Sequence, residues 1–82
     1  MNESQIEKAK IGWRCKRGML ELDLILISYF EAHYDALSPA QQQQFKQLLT
    51  ATDPQLYGWL LGFEAIENKE LESIVQDIKS RM

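Results

Sequence analysis

The sequence is poor in the residues that build metal sites, disulfides and phosphate-binding loops. It contains one cysteine, one histidine, four glycines and two prolines in 82 residues. A single cysteine cannot form an internal disulfide, and one cysteine with one histidine cannot complete a zinc site of the usual ligands. Neither GxxxxGK[ST] nor GxGxxG occurs, so no glycine-rich phosphate loop is predicted. These absences indicate a reducing compartment and argue against most cofactor-binding enzymes.

Long hydrophobic runs are also missing. The most apolar stretch, residues 20–30, is too short to cross a bilayer and contains Glu21 and Asp23. The N-terminus is polar and acidic, unlike a signal or transit peptide. We therefore expect one soluble, cytoplasmic domain spanning residues 1–82, without membrane insertion.

Charge is unevenly distributed along the chain. The net charge is −3, with a pI near 5.0, which disfavours binding to nucleic acid or an anionic membrane. Residues 1–17 nevertheless carry five basic and two acidic side chains, so a basic arm precedes an acidic body. Such an arm suits either a solvated helix surface or an acidic patch on a partner protein.

Apolar residues recur at helical spacing along most of the chain, and no run alternates with period two for long enough to suggest a sheet. The β-branched residues around Ile25 and Ile27 leave a strand as the lesser alternative there. Ser4 and Glu7 form a capping-box pattern before a helix predicted over about 5–15. Gly18 then predicts a break or a tight turn. Residues 19–35 are apolar around most of a helix circumference, which is typical of the buried centre of a bundle.

Three further helices are predicted from N-terminal capping patterns in the sequence. Ser38, Pro39 and Gln41 form a cap, a first-turn proline and a capping-box glutamine. Asp53 and Pro54 repeat the cap-and-proline pattern, and Gly62 and Asn68 are expected to end the fourth helix and begin the fifth. The inner face of the third helix is predicted to comprise Phe45, Leu48 and Leu49. The fourth helix is expected to run through Leu56, Tyr57, Trp59 and Leu60, and the fifth to carry an apolar stripe of Leu71, Ile74, Val75, Ile78 and Met82. The sequence therefore predicts an all-α bundle of about five helices.

No constellation of catalytic groups is evident. Cys15 and His33 lie on different predicted helices, and both are interpreted as structural residues. The cations around Cys15 leave open a redox sensor that acts through an intermolecular disulfide. An independent enzyme is not expected.

One segment does not fit a purely structural interpretation. Arg17 and Glu21 are four residues apart and would form a modest ion pair on a continuous helix. Gly18 between them is costly inside a helix unless the backbone needs positive φ or another surface approaches closely. The five donors of Arg17 suit a carboxylate or carbonyls on a partner. The segment therefore favours a docking epitope.

Residues 17–21, Arg-Gly-Met-Leu-Glu, resemble the RGxxE motif of the SdhE family, bacterial assembly factors for the flavoprotein subunit of succinate dehydrogenase. The resemblance extends over nearly the whole chain and includes three blocks in the same order: residues 13–23, 30–37 and 53–60. The family's small five-helix fold agrees with the predicted helices.

The resemblance implies a chaperone that binds this flavoprotein, with the related fumarate reductase subunit as a further client, and promotes covalent attachment of FAD. In that chemistry a histidine of the client attacks the 8α-methyl position of FAD, so the helper contributes positioning and holds no FAD stably. The docking centre would comprise Arg17, Gly18 and Glu21. Its surroundings would comprise Trp13, Phe30, Glu31, Tyr34, Asp53, Tyr57 and Trp59.

One residue departs from the pattern: Gln55 replaces an acidic residue that many relatives have. The free protein is expected to be monomeric and to bind no metal. A helical regulatory or antitoxin-like module that binds nucleic acid is the alternative from another class, supported by the bundle and the basic arm.

Overall fold

The computed structural model describes residues 3–62 and 64–82, with only the backbone of Ser4. Over these residues the chain forms five α-helices and no strand, and a short 3₁₀ turn, Tyr34–Ala36, follows the second helix. The helices are α1 (Glu3–Arg14), α2 (Leu20–His33), α3 (Pro39–Leu48), α4 (Asp53–Leu60) and α5 (Lys69–Ser80). The predicted all-α bundle of five helices is confirmed.

Two of the predicted helix starts are confirmed in detail. The Ser38 hydroxyl accepts a hydrogen bond from the Gln41 backbone, while the Gln41 side chain accepts one from the Ser38 backbone. Asn68 caps α5 by accepting from the Glu70 N–H at 2.9 Å. Each cap pairs backbone N–H groups that have no partner inside the first turn of a helix.

The predicted cap of α4 is wrong by one residue. Thr52, not Asp53, is the N-cap, and it forms a reciprocal capping box with Gln55. Asp53 is the first helical residue, so its carboxylate is free to bind elsewhere. The capping box also gives Gln55 a structural role. Either glutamine or glutamate can occupy this third helical position of a capping box.

The hydrophobic core lies where α2, α3, α4 and α5 meet. Its fully buried members include Leu22 and Leu26 of α2, Phe45 of α3, Leu56 of α4 and Ile74 of α5. The predicted apolar faces of α3 and α5 are therefore confirmed, apart from Met82. In α4, Leu56 and Leu60 are buried, whereas Tyr57 is exposed. Met82 is 60% exposed because α5 ends at Ser80.

Only one face of α2 is buried, contrary to the prediction of a helix buried all round. Leu22, Leu26 and Tyr29 face the core, whereas Leu20 and Leu24 on the opposite side are 74% and 59% exposed. Helical periodicity showed that both faces are apolar, but it could not show which of them another helix covers.

The N-terminal helix packs on the core through Ile11, which is 2% exposed, and also forms ion pairs with the body. The Glu7 carboxylate pairs with Lys46 of α3, and Lys8 pairs with Asp35 of the 3₁₀ turn at 2.7 Å. The side chain of Ser4, on which the predicted capping box rests, lies outside the described residues. None of the helices described is both long and apolar enough to cross a membrane.

Candidate partner-docking site

The turn between α1 and α2 is built around Gly18. Its φ is +84°, and it is the one described residue with positive φ. This conformation is readily available to glycine and unfavourable for residues with a Cβ. A Cβ at this position would meet nothing within 4 Å, so the backbone angle, and not crowding, requires the glycine. The predicted break is therefore confirmed.

The guanidinium of Arg17 is bound inside the protein. Nε donates to Asp53 Oδ1 at 2.7 Å, Nη1 to the Leu49 carbonyl at 2.9 Å, and Nη2 to the Ala51 carbonyl at 2.7 Å. We call Arg17 and these three acceptors the Arg17 clasp. The clasp joins the α1–α2 turn to the α3–α4 connection. Arg17 was expected to offer this fork to a partner, whereas in the structure its acceptors lie in its own chain.

Asp23 holds the backbone of the same turn. Its carboxylate accepts from the Arg17 N–H at 2.6 Å and from the Gly18 N–H at 3.3 Å. The sequence analysis gave Asp23 no such role. An acidic residue in the first turn of α2 was the available signal, since carboxylates are favourable where a helix presents free N–H groups.

Glu21 is left exposed by this arrangement. The turn at Gly18 separates α1 from α2, so the alternative ion pair between Arg17 and Glu21 does not form. Glu21 has no hydrogen bond or ion pair among the described residues. Gly18, Leu20, Glu21 and Leu24 are all exposed at this end of α2, and we call them the docking face. It combines an unpaired carboxylate with two uncovered leucines.

Three other predicted residues meet in a shallow groove beside the docking face. Trp13, Phe30 and Glu31 help to line this groove of about 210 Å³ between α1 and α2. The Trp13 ring is 71% exposed and lies 4.6 Å from the Lys16 ammonium. Gly12 lets the helices approach closely, because a Cβ there would lie 3.2 Å from the Phe30 ring.

The remaining predicted residues are dispersed. Tyr34 is only 7% exposed and packs with Phe45 at 5.9 Å between ring centroids, so it is a core residue and not an accessible docking residue. Tyr57 is exposed one turn after Asp53 on α4. Trp59 is half-buried and lines a different groove, with Gln55 and Ile66.

Cys15 is completely buried directly after α1. Burial raises the pKa of its thiol to about 12, outweighing the opposing effect of Arg17 and Arg14. The thiolate that would attack a disulfide is therefore scarce, which argues against the redox-sensor alternative. His33 lies at the far end of α2 and packs against the Tyr29 ring at 5.3 Å.

Much of the basic arm is engaged within the chain. Lys8 pairs with Asp35, Lys16 lies over Trp13, and Arg17 forms the clasp. These contacts leave the arm a poor match for a row of phosphates, which a nucleic-acid-binding module needs.

The fold and the site define a small all-α protein with an exposed carboxylate and two exposed leucines beside one interhelical turn. The family model "Sdh5: Flavinator of succinate dehydrogenase" matches residues 9–82. The chain belongs to this family.

Named relatives agree with the assignment. A protein of Colwellia psychrerythraea named "FAD assembly factor SdhE" is 43% identical over 99% of this chain and 89% of its own length. A protein of the same name from Coxiella burnetii is 43% identical over 96% of this chain and 95% of its own length. A solution structure of a "UPF0350 protein" has a TM-score of 0.78 and 38% identity, and the match covers 99% of this chain and 85% of that one.

Proposed function

We propose that this chain promotes covalent attachment of FAD to the flavoprotein subunit of succinate dehydrogenase. It acts as an assembly factor that binds the flavoprotein, with the fumarate reductase subunit as a second client. Membership of the flavinator family and the printed names of the relatives support this proposal.

The observation that carries the docking part of the proposal is the exposed Glu21 carboxylate beside Leu20 and Leu24. A buried interface gains from apolar area at its centre and from a charge that finds its partner only in the complex. Leucines 74% and 59% exposed are left without cover by the fold itself. A client surface that covers them and supplies a cation or backbone donors for Glu21 fits this face.

The chain's contribution is positional and not catalytic. Its single cysteine is buried, and its single histidine is engaged with Tyr29. Holding a client in a reactive geometry can supply several kcal/mol of a reaction barrier without a reactive group in the helper, since ordered reactants reach about 7–11 kcal/mol of such assistance. FAD is then the substrate fixed on the client, and this chain does not retain it.

The test uses a strain that lacks this protein. Covalent flavin survives denaturation, so we expect a fluorescent succinate dehydrogenase flavoprotein band on a denaturing gel to fade in the deletion strain. The wild-type gene should restore it, and Glu21→Ala should not. Glu72→Ala, which removes an exposed glutamate on α5, is the matched control and should restore the band fully.

Two results would contradict the proposal. A flavoprotein band of equal brightness without the protein would remove the assembly role. Full restoration by Glu21→Ala would leave that role intact and remove the docking face from it. The fumarate reductase flavoprotein band, measured in the same strains after anaerobic growth, tests the second client.

A further inference from the structure

The Arg17 clasp forms hydrogen bonds at the C-terminal end of α3 and at the N-terminal end of α4. Leu49 directly follows α3, and its carbonyl belongs to the group of C-terminal carbonyls that a helix cannot satisfy internally. Asp53 begins α4, and Ala51 lies between the two helices. A cation is favourable at the C-terminal end of a helix, so Arg17 stabilises the α3–α4 connection. The acceptors in that connection in turn fix the position of the Arg17 side chain.

The same residue is fixed through its backbone by another element. Arg17 and Gly18 both donate their N–H groups to Asp23, which belongs to the first turn of α2. The α1–α2 turn is therefore held by its side chain to the α3–α4 connection and by its backbone to α2. Gly18 and Glu21 of the docking face come soon after Arg17 in the chain, so their positions depend on how Arg17 is held.

We infer that Arg17 is a positioning residue, which shapes the docking face through the clasp and does not itself contact the client. The inference rests on the proposed function. The Arg17 side chain is only 17% exposed, and reaching a client would abandon Asp53 and two carbonyls. Removing one partner of a part-buried, hydrogen-bonded ion pair leaves the other without compensation, which is costly.

Arginine and lysine should differ sharply in this role. The planar fork reaches a carboxylate and two carbonyls simultaneously, whereas a single ammonium is a point charge without that geometry. If Arg17 served as a positive charge facing the client, Arg17→Lys would largely preserve binding. In the clasp we expect Arg17→Lys to weaken client affinity at least tenfold, nearly as much as Arg17→Gln.

A double-mutant cycle measured as client affinity tests the clasp. The purified flavoprotein subunit is the probe, and Kd is measured for Arg17→Gln, for Asp53→Ala, which removes the acceptor of Arg17 Nε, and for the double variant. We expect each single variant to weaken binding at least tenfold. The double variant should bind no more weakly than the more damaging single variant, because either change opens the same clasp. Asp35→Ala, which removes the acceptor of the Lys8 ion pair, is the matched control and should leave Kd unchanged.

Hydrogen exchange in the free protein gives a second readout that needs no client. In Asp53→Ala we expect the Arg17 and Gly18 amides to exchange at least tenfold faster, while the Ile74 amide in α5 is unaffected. Losses that multiply in the double variant, full affinity in Arg17→Lys, or unchanged exchange at these two amides would overturn the inference. Failure of the wild-type chain to bind the flavoprotein would instead overturn the proposed function. The exchange data would still test whether the clasp holds the α1–α2 turn in place.

Discussion

The two faces of α2 are similar in composition and opposite in environment. On the inward face Leu22 and Leu26 are fully buried, whereas on the outward face Leu20 and Leu24 are mostly exposed. Folding explains the first pair, because burying a leucine side chain contributes about 1.5–3 kcal/mol. It does not explain the second pair, whose apolar surface remains in water. The outward leucines therefore point to an interaction made after folding.

The largest expected effect is on the inward face. Leu26→Ala should lower the free energy of unfolding by about 2–5 kcal/mol, because it removes buried methyl groups and leaves a cavity. Denaturant unfolding followed by circular dichroism measures this loss. A loss below about 1 kcal/mol would mean that Leu26 is not central to the core, and the contrast between the two faces would disappear.

The outward face should respond in the opposite way. Leu24→Ser is expected to change the free energy of unfolding by no more than about 0.5 kcal/mol, since the side chain is already largely in water. Affinity for the flavoprotein should fall at least tenfold, which corresponds to about 1.4 kcal/mol. Titration calorimetry with the purified client measures this fall, and unchanged affinity would exclude Leu24 from the interface.

Tyr29 lies at the edge of the inward face, and its substitution should lower the free energy of unfolding by less than Leu26→Ala does. Its hydroxyl donates to Asp77 of α5, and this bond, with Arg81, holds the pKa of the Asp77 carboxyl below its ordinary value of 3.8. Tyr29→Phe should cost about 1 kcal/mol near neutral pH by removing the hydrogen bond.

The sign of the pH dependence follows from the lowered pKa of Asp77. Its contribution to stability is fully present above the unfolded-state pKa and is lost as the pH falls below about 4 toward the folded-state pKa. Wild type and Tyr29→Phe should therefore converge in unfolding free energy at low pH. A difference that stays constant from neutral pH down to strongly acidic pH would show that the bond does not control the titration of Asp77.

Local rules predicted the local features of this fold. Ser38 and Asn68 were found because a cap and its helix lie within a few residues of each other. Thr52 was missed because Asp53 matches the same rule one position later. The Arg17 clasp was missed for a different reason: Arg17 and Asp53 are 36 residues apart, and no spacing rule connects them. The sequence showed that Arg17, Gly18 and Glu21 form an unusual segment. Which of the three face outward depends on the contact between Arg17 and Asp53, which the sequence does not reveal.

The +84° backbone of Gly18 changes how a genetic result at this position should be interpreted. A Gly18→Arg allele alters the surface and also forces a residue with a Cβ into a conformation that costs about 1–2 kcal/mol. A null phenotype of that allele would therefore not locate a contact with the client. Gly18→Ala carries the same backbone penalty with almost no new surface. Any loss of function in Gly18→Arg that exceeds the loss in Gly18→Ala therefore reports on contact with the neighbouring protein.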